Sequence, residues 1–331
     1  MSEGNRQWVL RARPQGWVKE SDFELREAPV PEPGEGQALT RTRYVAFEPA
    51  MRGWMEDRAS YIPPVGLGEV MRAQAVSEVV ESRRSGLEPG DLVSAMSGWQ
   101  EYALVDQGVQ KLAAGVTPEL ALSVVGVTGL TAYFGMLDLG EPRSGNTAVV
   151  SGAAGATGSV AGQIAKLEGC RVIGIAGGPE KCAWLTEEAH FDAAIDYKSE
   201  SVGARLSELC PRGIDVFFDN VGGEILDEAL ARIAQNARVV LCGGISAYNL
   251  EDTPPGPKNY FNLVLQRARM EGFIVLDYVS RFAEASEKLL AWVAEGKITP
   301  RVDVQEGFEN APQTFLRLFS GANVGKQLLK L

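Results

Sequence analysis

Short apolar segments alternate with amphipathic stretches from about Thr147 onward, which is the rhythm of β-α-β units. The apolar segments predict six strands, at residues 147–151, 171–176, 193–196, 214–220, 238–242 and 270–275. The stretches between and after them predict helices at about 159–167, 180–188, 201–209, 223–233 and 281–295. Parallel strands joined by crossover helices predict a doubly wound sheet.

The first 125 residues follow a different pattern, in which clusters of Pro and Gly separate short β-like segments. Such clusters occur at 30–36, 63–66 and 88–91, and the segments between them include 37–45 and 73–81. This pattern predicts a compact, antiparallel β module. The apolar end of the chain, 327–331, predicts a strand that returns to that module.

Together these patterns predict the α/β fold class with two domains. A β-rich domain is expected over 1–127, completed by 298–331, and a parallel-sheet domain over 128–297. The sequence contains no internal repeat and no low-complexity linker.

Charge and composition narrow the range of functions. Of the 331 residues, 32 are Lys or Arg and 43 are Asp or Glu, which gives a formal net charge of −11. An acidic protein is a poor partner for nucleic acid and for anionic membranes. The chain has no run of about 18 apolar residues, and its N-terminus is polar and lacks the apolar stretch of a signal peptide. We therefore expect a soluble, cytoplasmic protein that acts on a small molecule.

Histidine and cysteine are scarce. His190 is the only histidine, and the four cysteines, Cys170, Cys182, Cys210 and Cys242, form no CxxC pair. A Cys/His zinc site of conventional spacing is therefore not available, and the separated cysteines are typical of buried thiols. His190 follows the end of a predicted surface helix, where a solvated residue is a simpler interpretation than a catalytic one. Chemistry without histidine or zinc points to an organic cofactor.

The strongest local motif is a glycine-rich turn, 152–158, between the first strand of the predicted sheet and its helix. In a dinucleotide site Gly155 would let the backbone approach a pyrophosphate, and Gly158 would let the helix pack closely on the sheet. Ala153 replaces the first glycine of the GxGxxG pattern. A tight turn with a structural role is the alternative, but the flanking strand and helix favour dinucleotide binding.

The tip of the second strand bears on the choice of dinucleotide. NAD-preferring sites usually carry Asp or Glu there, which binds the ribose 2′-hydroxyl. Here the strand ends in Gly177 and Gly178, and Lys181 follows in the first helical turn, where its ammonium can meet a 2′-phosphate. Glu180 lies close by, but a negative charge in the first turn of a helix is explained by the positive end of the helix dipole. The pattern favours NADPH, with a solvated Lys181 as the alternative.

Several further motifs occur in a characteristic order. They are NRQWVL at 5–10, MRG at 51–53, GLTAYFG at 129–135, the glycine-rich turn, FDNVGG at 218–223, CGGISAYN at 242–249, RMEGF at 269–273 and NVGK at 323–326. With these motifs the chain resembles, over essentially its whole length, the zinc-independent medium-chain dehydrogenases/reductases of the leukotriene dehydrogenase and prostaglandin reductase type. The resemblance implies a GroES-like catalytic domain, a Rossmann domain that carries NADPH, and reduction of the C=C bond of α,β-unsaturated carbonyl compounds.

The resemblance also implies roles for single residues. Cofactor contacts at the pyrophosphate, the adenosine 2′-phosphate, the nicotinamide ribose and the C-terminal loop fall on Gly155, Gly158, Gly178, Lys181, Tyr197, Asn220, Cys242, Tyr248 and Asn323. Tyr248 is the candidate catalytic residue, because its hydroxyl could stabilise an enolate oxygen. A polar strand terminator at Asn220 and an amphipathic lid residue at Tyr248 are the plainer alternatives.

One segment departs from the family pattern. Many relatives carry Asp-Pro-Tyr-Met where this chain has Glu48-Pro49-Ala50-Met51. If the missing tyrosine lines the substrate pocket, as the resemblance implies, Ala50 leaves extra space and removes a hydroxyl. Tyr61 is a candidate aromatic wall of the same pocket, and an ordinary loop residue is an equal alternative.

Two other functions stay open at this point, an NADPH:quinone oxidoreductase of the same fold and a non-catalytic NADPH-binding regulator. No metal is expected in either case. We also expect a homodimer, because the apolar segment 270–275 forms the last strand of the predicted sheet and would otherwise expose an unpaired edge.

Overall fold

The computed structural model describes residues 4–331 and divides the chain into two compact units. The first unit contains the residues up to Leu122 together with Val302–Leu331, and the second contains Ser123–Arg301. Residues 123–127 and 298–301, expected in the first domain, thus belong to the second unit. The reason is local bonding: the Thr128 hydroxyl donates to the Ser123 carbonyl over 3.2 Å, and the Gln163 amide donates to the Thr299 carbonyl over 3.2 Å.

Strands make up the sheets of both units. In chain order they are β1 (Asn5–Leu10), β2 (Phe23–Ala28), β3 (Ala38–Ala46), β4 (Ala75–Ser82), β5 (Leu92–Ala95), β6 (Tyr102–Val105), β7 (Gln110–Lys111), β8 (Thr147–Ser151), β9 (Arg171–Ala176), β10 (Ala193–Asp196), β11 (Ile214–Asp219), β12 (Ile233–Leu241), β13 (Arg269–Gly272), β14 (Val302–Glu306) and β15 (Lys326–Lys330).

The helices are short. They are α1 (Met51–Trp54), α2 (Pro118–Leu122), α3 (Val127–Phe134), α4 (Ala156–Leu167), α5 (Pro179–Glu187), α6 (Val202–Leu209), α7 (Gly223–Leu230), α8 (Asn262–Leu265), α9 (Phe282–Ala294) and α10 (Ala311–Ser320). Within residues 4–331, none of the helices has the length and apolar character needed to cross a membrane.

The second unit is built on a six-stranded sheet in the order β10-β9-β8-β11-β12-β13, and every neighbouring pair is parallel. The strand order reverses between β8 and β11, which is the topological switch point of a doubly wound sheet. Val149, Ile173 and Phe217 are fully buried, as expected for strands covered on both faces. The prediction of an α/β protein with a doubly wound parallel sheet is confirmed.

Two predicted elements of this unit end elsewhere. The helix predicted to reach residue 233 stops at Leu230, because Ile233 is buried and begins β12 opposite Ile214. The strand predicted over 270–275 is β13, which ends at Gly272 and is followed by a 3₁₀ segment at Val275–Arg281. β13 itself is largely exposed, so an apolar edge strand was the wrong expectation.

The first unit contains a two-stranded sheet, β1-β2, and a seven-stranded sheet. The path of the larger sheet is β14-β15-β3-β4-β5-β7, and β6 also pairs with β3. All these pairs are antiparallel except β14-β15, which is parallel. The predicted return of the chain end is therefore confirmed as β15, whose Leu329 pairs with Val45.

Aromatic rings fill the core of the first unit. Trp99 is fully buried, and its ring centroid lies 5.0 Å from that of Phe47 and 5.6 Å from that of Phe315. Phe315 comes from α10, a helix that the sequence pattern did not predict. This core supports α1, the short helix that follows the Glu48–Ala50 departure from the family pattern.

Candidate functional site

The glycine-rich turn connects β8 to α4. Gly152 has a φ of 57°, and its carbonyl accepts a hydrogen bond of 2.9 Å from the Gly155 amide. A Cβ atom added at Gly158 would lie 2.4 Å from the Gly152 carbonyl oxygen, so the first turn of the helix rests directly on the glycine turn. Gly155 is the N-cap residue of α4, a helix of 12 residues. The turn therefore has the shape of an anion cradle, with the free amides of a helix start beside a backbone without side chains.

At the tip of β9 lie Gly177, which packs against an aromatic ring, and Gly178. A Cβ atom on Gly177 would lie 2.8 Å from the Tyr197 hydroxyl oxygen. Gly178 has a φ of 98° and donates its amide to the Asp196 carboxylate over 2.7 Å. This hydrogen bond, the first of several, lowers the pKa of Asp196. Lys181 lies in the first turn of α5, so the structure brings Gly178, Tyr197 and Lys181 to the ends of β9 and β10.

A buried carboxylate lies at the end of β11. Asp219 is fully buried, and its Oδ1 atom accepts hydrogen bonds from the Ser151 hydroxyl at 2.6 Å and from the Val221 amide at 3.1 Å. The Gly222 amide also donates to it, at 3.1 Å from either oxygen. Burial raises the pKa of this carboxyl, against the lowering effect of these donors.

Asn220 is held by the same serine. Its amide nitrogen donates to the Ser151 hydroxyl oxygen over 2.8 Å, and its side-chain Nδ2 donates to the Ser151 carbonyl over 2.7 Å. The ends of β8 and β11, which are neighbours in the sheet, are therefore tied together by two polar side chains.

The loop after β12 is docked onto the end of β11. The amides of Cys242 and Gly243 donate to the Asp219 carbonyl over 2.9 and 3.1 Å. Farther along the loop, the Tyr248 hydroxyl oxygen lies back over the glycine pair and accepts a hydrogen bond of 3.2 Å from the Gly244 amide. Burial, with a smaller effect of the Asp219 charge, raises the pKa of the Cys242 thiol to about 12.

The structure thus gathers five of the candidate residues at the carboxyl ends of β8, β11 and β12, where doubly wound sheets bind ligands. They are Gly155, Gly158, Asn220, Cys242 and Tyr248. The sequence reasoning missed Ser151, Asp219 and Asp196. A signal existed, since Ser151 and Asp196 are polar residues that end predicted apolar strands and Asp219 is the last but one residue of another.

Asn323, Ala50 and Tyr61 belong to the first unit. Asn323 lies in the loop between α10 and β15 and donates its Nδ2 to the Gly325 carbonyl over 2.9 Å. Ala50 is the N-cap residue of α1 and packs partly against the aromatic core. The Tyr61 hydroxyl accepts a hydrogen bond of 2.9 Å from the Trp54 indole, and burial raises its pKa.

The Ala50 segment is also fixed by an ion pair. Lys326 Nζ lies 2.8 Å from a Glu48 carboxylate oxygen, and the Lys326 side chain is only 1% exposed. The C-terminal loop and the segment before α1 are therefore linked within the first unit.

His190 lies after α5, exposed and with a φ of 58°. Across residues 4–331, no three His, Cys, Asp or Glu side chains are grouped in a way that could hold a metal ion.

Two family descriptions match the chain. Residues 6–112 match the N-terminal domain of oxidoreductases, and residues 156–295 match a family described as zinc-binding dehydrogenase. The chain is 43% identical to the NADPH-dependent curcumin reductase of Escherichia coli, over 99% of this chain and 97% of the other. It is 38% identical to prostaglandin reductase 1 of Bos taurus, over 98% of both chains.

Among solved structures, CurA of Vibrio vulnificus in complex with NADPH superposes with a TM-score of 0.94. The two sequences are 42% identical, and the match covers 98% of each chain. The chain belongs to the medium-chain dehydrogenase/reductase family that contains these NADPH-dependent reductases. The family resemblance expected from the sequence motifs is confirmed.

Proposed function

We propose that this protein is an NADPH-dependent reductase of the C=C bond of α,β-unsaturated ketones and aldehydes. The observation that carries the proposal is the group of three loops after β8, β11 and β12, in which a glycine cradle, Asn220 and Tyr248 are fixed at one edge of the sheet. Full-length similarity to curcumin and prostaglandin reductases supports the same reaction.

The residues fit the cofactor. The cradle at Gly155 and Gly158 has no room for a Cβ at Gly158, and a pyrophosphate needs this kind of bare backbone beside a helix start. Lys181 and Tyr197, beside Gly178, would hold the adenosine 2′-phosphate. Bound there, NADPH supplies the hydride that reduces the β-carbon of the substrate.

We assign the nicotinamide ribose to the loops after β11 and β12, with Asn220, Cys242 and Tyr248 as contacts. Asn220 is well suited to this role, because Ser151 fixes both its backbone and its side chain. The Cys242 thiol stays protonated at neutral pH, since its pKa is raised to about 12, so it can pack beside a ligand without adding charge.

Tyr248 is the catalytic residue of the proposal. Hydride addition to the β-carbon places negative charge on the carbonyl oxygen of the substrate, and the Tyr248 hydroxyl would donate a hydrogen bond to it. The α-carbon would then take a proton from Tyr248 or from water, which completes the saturated product. One such donor is typically worth about 3 kcal/mol in the transition state, or about a hundredfold in rate. The Gly244 amide, which donates to the same hydroxyl oxygen, fixes the position of the ring end.

The decisive experiment measures NADPH oxidation with enals, enones and quinones, with mass analysis of the products. A saturated carbonyl product supports the proposal. A hydroquinone as the only product would establish the quinone reductase instead, and binding of NADPH without turnover on any substrate would establish the regulator. Tyr248→Phe should lower turnover ten- to about a hundredfold with little loss of NADPH affinity.

Cofactor preference has its own test. Removing a charge-assisted contact typically costs about 1.5–3 kcal/mol, which is roughly one to two decades in affinity. Lys181→Ala should therefore weaken NADPH binding by that factor and leave NADH binding nearly unchanged. Glu187→Ala, at the other end of α5, is the matched control. Equal losses for the two cofactors would contradict the assignment.

We place the substrate pocket beside Ala50 and Tyr61. The support is that both residues are hydrogen-bonded to Trp54. The Trp54 backbone amide donates to the Ala50 carbonyl over 3.4 Å, and its indole donates to the Tyr61 hydroxyl oxygen. A tyrosine at position 50 would add a ring and a hydroxyl to this segment.

We also propose a cytoplasmic homodimer. Large apolar side chains that are about half exposed or more flank the edge strand β13 in the sequence, and an exposed apolar surface commonly marks an interface. They are Tyr260, Phe261, Val264, Leu265, Leu276 and Val279. The free cysteines suit a reducing compartment. Light scattering should give twice the chain mass of 35.6 kDa, and the monomer mass at micromolar concentration would refute the dimer.

A further inference from the structure

Asp219 is a fully buried charged residue of the second unit, and the proposed mechanism does not use it. It ends β11 directly at the switch point, where the strand order reverses between β8 and β11. A dinucleotide lies across this point, with one mononucleotide on each half of the sheet. Because the glycine cradle and the β9 tip take the adenosine half, the end of β11 begins the nicotinamide half.

The partners of the Asp219 carboxylate are all donors. They are the Ser151 hydroxyl at 2.6 Å, the Val221 amide at 3.1 Å and the Gly222 amide at 3.1 Å. The Ser151 hydroxyl donates to Asp219, while its oxygen accepts the Asn220 amide at 2.8 Å. A set of donors without an acceptor matches an ionised carboxylate and not a protonated one.

The same residue also determines the position of its neighbours. The Asp219 carboxylate fixes the Asn220 backbone through Ser151, and the main-chain carbonyl of Asp219 accepts hydrogen bonds from the Cys242 and Gly243 amides. The loop after β12, which carries Tyr248, is docked beside it through the Ile245 amide, which donates to the Asn220 carbonyl over 3.3 Å. Loss of the carboxylate would therefore leave buried donors unpaired at the start of the nicotinamide half.

We propose, building on the NADPH-binding function above, that Asp219 positions the nicotinamide loops and that its negative charge makes this site favour the oxidised cofactor. The nicotinamide ring of NADP⁺ is cationic, whereas that of NADPH is neutral. A fixed anion in a water-excluded site stabilises the cationic ring selectively, because Coulomb energies there are far larger than in water. Asp219 thereby lowers the free energy of the state reached after hydride donation.

The test compares Asp219→Asn, which removes the charge at nearly constant size, with Asp219→Glu, which keeps the charge and lengthens the side chain. Dissociation constants for NADPH and NADP⁺ are measured by calorimetry, and 2′,5′-ADP serves as a probe of the adenosine half alone. In Asp219→Asn the ratio of the NADP⁺ constant to the NADPH constant should rise about tenfold. In Asp219→Glu both constants should increase by a similar factor and the ratio should stay near that of the wild type. Binding of 2′,5′-ADP should be the same in all three proteins.

Three results would overturn the inference: equal weakening of both cofactors in Asp219→Asn, a ratio that moves as far in Asp219→Glu, or no change in either constant. If Asp219→Asn does not fold, the pair Asp219→Glu and Asp219→Gln gives the same comparison, since these side chains are equally long and differ in charge. Failure of the proposed function has a different signature. A wild-type protein that binds neither 2′,5′-ADP nor NADPH has no cofactor site for Asp219 to influence.

Discussion

Replacing Gly158 by alanine should disturb both the second unit and the cofactor site proposed there. The added Cβ would lie 2.4 Å from the Gly152 carbonyl oxygen and 3.0 Å from Ala153 Cα. Both atoms belong to the backbone, so no side-chain rotation can relieve the contact. The start of α4 must therefore move away from the glycine turn.

The size of the effect follows from two opposing terms. Overpacking typically costs about 1–3 kcal/mol, and the better helix propensity of alanine offsets at most about 1 kcal/mol. A net loss of about 1–2 kcal/mol lowers Tm by about 2–8 °C in a domain of this size. Displacement of the turn should also weaken NADPH binding about tenfold or more, because amide contacts to a phosphate are charge-assisted.

Thermal unfolding followed by circular dichroism and a fluorescence titration with NADPH measure the two effects. Gly155→Ala is a graded comparison, since its Cβ would lie 3.1 Å from the same carbonyl oxygen. Gly256→Ala is the matched control, because nothing lies within 4 Å of its added Cβ. A Gly158→Ala protein with the Tm and NADPH affinity of the wild type would refute the close packing of helix on turn.

Three further results are expected. Lys326→Met should lower the free energy of unfolding by about 3 kcal/mol in urea titrations, the lower end of the range for buried pairs, because it leaves the Glu48 carboxylate, whose side chain is only 14% exposed, without its partner. Addition of Glu48→Gln should recover part of the loss, and full additivity would contradict the pairing. Ala50→Tyr should reduce kcat/KM for bulky enones more than for small ones, whereas a uniform loss would show that the residue does not limit the pocket. The Cys242 thiol should react slowly with alkylating reagents at pH 7, and the stability due to its raised pKa should be present below about pH 9 and lost as pH rises toward 12 in unfolding titrations. Alkylation as fast as in the unfolded chain would refute the raised pKa.

The sheet strands of the second unit were the most predictable elements. β8, β9 and β10 begin and end at the predicted residues. For β8 and β9 the reason is that strands buried on both faces give continuous apolar runs bounded by turn residues. The start of β12 was missed, since Ile233 follows α7 after only two residues and the strand continues through the polar Gln235 and Asn236. Ile233 is buried against the sheet by tertiary packing, which the local hydrophobic pattern of the sequence does not indicate.

The candidate site could be predicted from the sequence where a motif requires a particular residue type at a fixed position. Gly155, Gly158 and Gly178 fall in that group, because only glycine suits a close backbone approach or a positive φ. Asp219 was not singled out, although its motif was noted. Its importance comes from Ser151, 68 positions away in the sequence, and from backbone amides that only the fold brings near.

The contact between Gly177 and the Tyr197 ring limits how this protein could acquire a different cofactor. An acidic residue at the β9 tip is the simplest route to NADH use. At position 177 the new side chain would start 2.8 Å from the Tyr197 hydroxyl oxygen, and at 178 it would inherit a φ of 98° that side chains rarely adopt. Either single step therefore has a cost: at 177 the Tyr197 ring, which is 46% exposed, must turn aside, and at 178 the backbone conformation is strained for any side chain. A smaller residue at position 197 would remove the first of these costs, so packing favours one order of substitutions over the other.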